Sequence, residues 1–142
     1  MSNSHRPVAL FDVDDTLCDT FATRDGVARP IDQQAQRWLA ASPIAANVAR
    51  ALDLMAQGFA IVLVTARGES LAEATVAQVE SFGIEVAAIF SRMTGDNRVD
   101  WKVKADALAR LTEAGYAPVI AFDDKARNIQ MFAEAGIEGV LV

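Results

Sequence analysis

Apolar residues along this chain fall into two alternating patterns. Short unbroken runs at Pro7 to Phe11, Phe59 to Val64, Val86 to Phe90, Pro118 to Phe122 and Gly139 to Val142 are too short for helices and read as buried strands. Between them, apolar positions recur every three or four residues: Ile44, Val48, Leu52 and Met55; Ala72, Val76 and Val79; Val103, Ala107 and Leu111; Ile129, Phe132 and Ala133. That is the spacing of a helix with one face turned to a core. Ser42 and Pro43 offer a cap and a first helical position, and Gly58, Gly83, Gly115 and Gly136 stand where the helices end. Strands alternating with helices predict an α/β fold, doubly wound, with a mostly parallel five-stranded sheet covered on both faces. Such sheets bind ligands beyond the carboxyl ends of their strands. Segment 19–42 breaks the alternation. Polar at first and then amphipathic around Ile31, Trp38 and Leu39, it reads as a short cap-like insertion after the first strand.

With 142 residues, 52% of them hydrophobic, the chain suits one domain spanning 1–142 that buries a core of its own. Cys18 is the lone cysteine and has no partner for an internal disulfide, which leaves a reducing compartment as the default. The polar start, Met1 to Pro7, lacks the apolar stretch of a signal peptide, and no later run approaches membrane-spanning length. The expectation is a soluble, cytoplasmic protein with no membrane partner, in which His5 belongs to a disordered tail and Met131 to the core. Nineteen acidic against thirteen basic residues give a net charge of −6, which argues against a surface built for nonspecific attraction to nucleic acid. Any phosphate recognition has to be local.

The strand ends carry the candidate chemistry. Asp12, Val13, Asp14, Asp15, Thr16 and Leu17 follow the first run, Thr65, Ala66 and Arg67 the second, and Asp123 and Asp124 the fourth. In an extended exit from a strand, alternate residues point the same way, so Asp12, Asp14 and Thr16 share a space while Val13 and Leu17 pack. Carboxylates gathered there repel, by roughly 4 kcal/mol per pair at about 4 Å with an effective dielectric of about 20. A cation is the natural remedy, and oxygen-only ligands suit Mg²⁺. Taken singly, each piece has a plainer reading. The first cluster could be a turn, Asp123 and Asp124 an N-cap, Thr65 a hydroxyl cap and Arg67 a solvated charge. Their convergence on one rim is what points to chemistry.

At this point the sequence resembles a known family. Phe11-Asp12-Val13-Asp14-Asp15-Thr16-Leu17, Val64-Thr65-Ala66-Arg67, Lys104 opening a helix and Phe122-Asp123-Asp124 are similar to the four motifs of the haloacid dehalogenase-like hydrolases. Within these, Arg92, Gly95, Asp96, Arg98, Asp100 and Lys104 resemble a stretch of the phosphatase half of bacteriophage polynucleotide kinase and its stand-alone relatives. Asp15 stands where many members have glycine. No phosphate-binding Gly-x-x-x-x-Gly-Lys loop is present, so a kinase half is not expected here.

The resemblance implies a Mg²⁺-dependent phosphatase working through an aspartyl-phosphate. Asp12 would be the nucleophile and Asp14 the proton donor and acceptor, its carboxyl raised by neighbouring acids. Thr65 and Lys104 would hold the phosphoryl oxygens, and Lys104 would also orient Asp12. Lys102 is the rival for that lysine role, and Lys104 is preferred because Leu108 follows it at the family's spacing. Metal ligands would come from Asp12, Asp14 through its carbonyl, and the acidic pair, with Asp124 direct and Asp123 orienting Lys104 or a metal-bound water. Asn128 either completes that pattern or caps the following helix.

Substrate contacts fall to Thr65, Ala66, Arg67, Arg92, Arg98 and Lys104. Arg67, Arg92, Arg98, Lys125 and Arg127 in loops or helix starts would form a positive collar around an open site. That favours a nucleotide or a polynucleotide 3′-phosphate over a small buried metabolite. Phe21, Trp38 and Trp101 are too few for a strand-stacking platform, and the two tryptophans suit packing. The alternatives are a small-metabolite phosphatase of the same superfamily, a silent binding protein with this fold, or a phospho-accepting receiver-like signalling domain. The last would need a separate acid just after a middle strand, and none closely follows Val86 to Phe90.

Overall fold

A computed structural model describes residues 6–142. His5 and the rest of the first five residues lie outside the described part. The five apolar runs form five strands: β1 (Val8–Phe11), β2 (Ala60–Gly68), β3 (Val86–Arg92), β4 (Pro118–Asp123) and β5 (Glu138–Leu141). All neighbours pair in parallel, in the order β3-β2-β1-β4-β5. Because β1 and β4 are adjacent while the chain departs from them in opposite directions across the sheet, the crevice of a doubly wound fold opens at their carboxyl ends. Leu10 pairs Ala121 and Phe11 pairs Phe122, and the two phenylalanine rings stack at 4.5 Å. Beyond this stack the strands deliver Asp12 and Asp123 side by side.

Among the described residues, five α-helices surround the sheet: α1 (Ile31–Leu39), α2 (Ala45–Ala56), α3 (Ala72–Glu80), α4 (Asp100–Glu113) and α5 (Ala126–Glu134). One core cluster joins Phe11, Leu63 and Phe122 of the sheet to Val48 and Ala51 of α2 and Val79 of α3. The other joins Leu10, Val62 and Ala121 to Ala107 and Leu111 of α4 and Phe132 of α5, with Met131 in the same cluster. Burying apolar area on both faces of a sheet is the dominant favourable term in such a fold. No helix among the described residues is long and apolar enough to cross a membrane.

Segment 19–42 contributes no strand to the sheet and holds a single turn of 3-10 helix (Phe21–Thr23) and α1. Ser42 and Pro43 do not open α2. The helix starts at Ala45 with Ile44 as its cap, because Pro43 is held against Cys18 by an isolated bridge. Burial pushes the Cys18 thiol up to about 12, so it stays protonated and unreactive at neutral pH.

Three helices are also rotated from the faces their apolar spacing suggests. Leu52 and Ala133 are exposed, while Asn47, Thr75, Gln78 and Asn128 are buried. Each of these polar side chains turns inward to a partner at the strand ends, so the buried stripe on each helix is part polar.

Candidate active site

Asp12 extends β1 by one residue, its backbone N–H donating to the Phe122 carbonyl at 3.0 Å. Lys104 lies in the second turn of α4 and passes its stem along the sheet, so that Nζ reaches Asp12 Oδ1 at 2.7 Å and Asp123 Oδ2 at 2.6 Å. All three are nearly inaccessible, with relative exposures of 6% for Asp12, 2% for Lys104 and 1% for Asp123. Lys102, its rival, instead lies over the Trp101 ring at 5.6 Å.

Each acid is further fixed. Thr16 Oγ1 donates to Asp12 Oδ2 at 3.0 Å, and Asn47 Nδ2 holds the Thr16 carbonyl at 2.8 Å. Asn128 Nδ2 donates to both oxygens of Asp123 at 3.2 Å, and the Lys125 N–H donates to Asp123 Oδ1 at 3.0 Å. Asn128 therefore acts inside α5 rather than as its cap, which is Lys125.

Burial raises the Asp12 carboxyl well above its ordinary value; Lys104 opposes that and Asp123 adds to it. Burial would lower the Lys104 ammonium, but Asp12 and Asp123 outweigh it and raise it, so the lysine stays charged. Asp124 is raised as well, by burial first and then by Asp123.

Asp12, Asp123 and Asp124 each offer an oxygen within 4.8 Å of the others. Three carboxylates face one buried ammonium, and among the described residues no lysine or arginine forms an ion pair with Asp124. An all-oxygen donor set with surplus negative charge fits a hard divalent cation.

Acids with raised folded values bind more protons folded than unfolded, so without metal they stabilise the fold at low pH and lose that contribution as pH rises through their raised values. Protons and cation then compete for the same oxygens. Excess Mg²⁺ is expected to raise Tm more at about pH 7.5 than at about pH 5, with a hundredfold excess over Kd giving about 2.7 kcal/mol where binding is unopposed. Thermal unfolding with and without Mg²⁺ at both pH values checks this, and equal gains would contradict it.

The acid expected to be crowded by its neighbours is held otherwise. Asp14 takes a two-pronged ion pair from Arg67, with Nη2 at 2.7 Å and Nε at 3.1 Å from Oδ1. Its closest charged partner is a cation from β2, not another acid. Arg67 was expected at an open rim, yet it is 3% exposed. Its other donors reach Gln78 Oε1 at 2.8 Å, Thr75 Oγ1 at 3.2 Å and the Trp38 carbonyl at 3.3 Å. A strand that runs on to Gly68 turns this side chain inward, under the cap. Thr65 is buried beside it, and its Oγ1 accepts the Arg67 N–H at 3.1 Å, leaving the hydroxyl proton free to donate.

The positive collar is also rearranged. Arg92 ends β3 and spends its donors on the carbonyls of Ala66, Asp96 and Arg98 and on Asp100, so it organises the loop that leads into α4. Lys125 pairs with Asp100, which keeps the Lys125 ammonium raised. Arg98 is bound to Asp96, and Arg127 stacks on Trp101 at 4.0 Å. Neither Arg98 nor Arg127 lines the cavity, whereas Ala66, Arg67, Arg92 and Lys125 do.

The cavity, of about 500 Å³, lies over Asp12, Asp14, Lys104 and Asp124. Three contributors escaped the sequence reading, Arg24 at the cap and Thr75 and Gln78 beneath it, while Asp15 reads only as a replacement for glycine. Thr75 and Gln78 had a signal, polar residues three apart within the apolar face of α3. Arg24 had none, because it sits in an irregular polar segment.

Among known families, the polynucleotide kinase PNKP phosphatase domain matches residues 6–142. No curated protein sequence matches the chain. In the structure of the Pnkp1/Rnl/Hen1 RNA repair complex, one chain superposes with a TM-score of 0.81 at 19% identity, over 100% of this chain and 44% of that one. This chain thus spans less than half of that relative's length. A class C acid phosphatase from Bacillus anthracis gives 0.64 at 15% identity, over 96% of this chain and 65% of its own. A haloacid dehalogenase-like hydrolase from Streptococcus pneumoniae gives 0.61 at 14% identity, over 99% and 85%. Likeness at these identities is one of fold.

Proposed function

This chain belongs to the polynucleotide kinase PNKP phosphatase-domain family of haloacid dehalogenase-like hydrolases, and from that premise we propose a Mg²⁺-dependent phosphatase acting through an aspartyl-phosphate on nucleotide or polynucleotide 3′-phosphates. The observation that carries the reading is Lys104, buried and bridging Asp12 and Asp123 on the floor of a cavity open to solvent.

Asp12 attacks phosphorus in line, and the bond from phosphorus to the ester oxygen breaks as Asp14 gives that oxygen a proton. Asp14 then takes a proton from the water that hydrolyses the acyl phosphate and frees Asp12. Arg67 holds the Asp14 carboxylate before substrate enters, and that pair has to loosen for Asp14 to carry the proton it gives. Thr65 and Lys104 donate to the equatorial phosphoryl oxygens, where charge sits in the transition state. Oriented by Lys104 on one oxygen and Thr16 on the other, the Asp12 carboxylate has little freedom left to lose on reaction. Asp12, Asp124 and the Asp14 carbonyl would hold Mg²⁺, with Asp123 kept for Lys104. When bound, the cation supplies charge neutralisation between the nucleophile and the phosphoryl oxygens.

The substrate half of the reading rests on the family and on the open cavity, which leaves room for a chain end. Release of phosphate from a 3′-phosphorylated oligonucleotide, a 5′-phosphorylated oligonucleotide, mononucleotides and sugar phosphates tests it. The 3′-phosphorylated end should be turned over fastest and chelator should stop the reaction. A preference for sugar phosphates would end the nucleic-acid reading.

A further inference from the structure

The cavity lining comes from two unlike sources. The strand ends and α4 contribute charged groups, among them Arg92, Asp100 and Lys104, while the cap contributes Ile31 and Trp38 with Arg24 beside them. Ile31 is 74% exposed, yet it opens α1 directly at this charged hollow. A lone exposed apolar side chain is ordinary. Here two from the cap line the same cavity as the candidate nucleophile, and the segment that carries them is held at Thr20, Phe21 and Arg24 on one side and at the Trp38 carbonyl on the other.

The tie is Asp15. Its Oδ1 accepts the Thr20 hydroxyl at 2.9 Å and the Phe21 N–H at 2.7 Å, and its Oδ2 lies 3.6 Å from Arg24. Arg24 in turn lies over the Phe21 ring at 5.2 Å. Asp15 makes these contacts from a backbone φ of +62°, the left-handed region that costs a non-glycine residue energy. Its carboxylate reaches across to the cap, and glycine could not do so. From the other end, Gln78 and Arg67 hold the Trp38 carbonyl at 2.9 and 3.3 Å, so the same cap wall is anchored to the arginine that orients Asp14.

We infer that this cap wall is a nucleoside subsite. Ile31 and Trp38 take the apolar face of the base adjoining the scissile phosphate, Arg24 takes an oxygen of the neighbouring sugar or phosphate, and Asp15 is the positioning residue that sets the wall against the catalytic turn. The inference rests on the phosphatase reading above and deepens its substrate side. A nucleoside presents both the flat apolar face and the polar oxygens that such a lining can satisfy, whereas a small polyol phosphate leaves Ile31 and Trp38 facing water.

The test is the ratio of kcat/KM for a nucleoside 3′-monophosphate to that for glycerol phosphate, with Mg²⁺ present. Ile31→Ser should lower the ratio by roughly threefold to tenfold, through KM of the nucleotide, since only apolar contact is removed from an exposed position. Asp15→Gly should lower it similarly while Tm holds, because glycine accepts the left-handed backbone and only the tether is lost. Asp15→Asn, which keeps an acceptor oxygen, should restore the ratio. Val119→Ser, at a 50% exposed position on the sheet, should leave it unmoved. An unmoved ratio in Ile31→Ser, or an equal fall in Val119→Ser, would overturn the subsite alone. Wild-type protein that favours glycerol phosphate over the nucleotide would instead overturn the substrate reading, and the subsite with it.

Discussion

Asp12→Asn should remove phosphatase activity, by roughly 10⁴-fold or more, while leaving the fold in place. Asparagine keeps the shape and accepts from Thr16 or Lys104, but its amide cannot carry phosphorus as an acyl phosphate. The change also removes a buried charge whose carboxyl burial already raises, so no new uncompensated group appears in the core. Lys104 retains Asp123 as its partner. Tm within a few degrees of wild type, together with lost turnover, separates chemistry from unfolding. Thr65→Ala should behave differently and keep measurable activity, since it removes one donor among several. Near-normal activity of Asp12→Asn with magnesium would remove the nucleophile assignment.

Lys104→Met should be the most damaging change to stability. It preserves most of the apolar stem but leaves Asp12 and Asp123 buried with no cation between them. Breaking a buried pair by deleting one partner costs about 3–5 kcal/mol, and at this chain length that corresponds to a fall in Tm of roughly 10 °C or more. The variant should also be inactive, because both the orientation of Asp12 and a donor to the phosphoryl group are gone. Added Mg²⁺ should raise its Tm by more than it raises that of wild type, since the cation replaces a missing internal counter-charge. Unfolding curves in chelator and in magnesium check this. A variant as stable as wild type in chelator would mean that the three groups do not form the buried cluster described above.

The two periods in the sequence carry the architecture well. Every apolar run became a strand and every helical pattern a helix, because in a doubly wound sheet the strands are buried on both faces and need no alternation. What periodicity misphased was the face of α2, α3 and α5, and the cause is the site itself. Asn47, Gln78 and Asn128 are pulled inward to serve the Thr16 carbonyl, Arg67 and Asp123, so the buried stripe runs partly through polar positions that a hydrophobic pattern skips. Lys104 follows the same logic, and only the resemblance marked it out from Lys102.

The acids at the strand ends were legible because strands bring their ends to one rim. Ion-pair partners were not. That Arg67 holds Asp14 instead of facing solvent depends on how far β2 extends and on Thr75 and Gln78 arriving from α3, contacts between positions far apart along the chain. The cap was visible as an interruption, but its attachment through Asp15 depends on a single left-handed residue that sequence spacing does not mark.

The central claim is that phosphorus passes through the Asp12 carboxylate. Mass spectrometry of protein quenched in acid during steady turnover of a 3′-phosphorylated oligonucleotide with magnesium measures this directly. The account predicts one added phosphoryl group on the peptide that contains Asp12, absent when chelator is present or when Asp12 is replaced by asparagine. A phosphoryl group on any other residue, or continued turnover with Asp12 never modified, would contradict it.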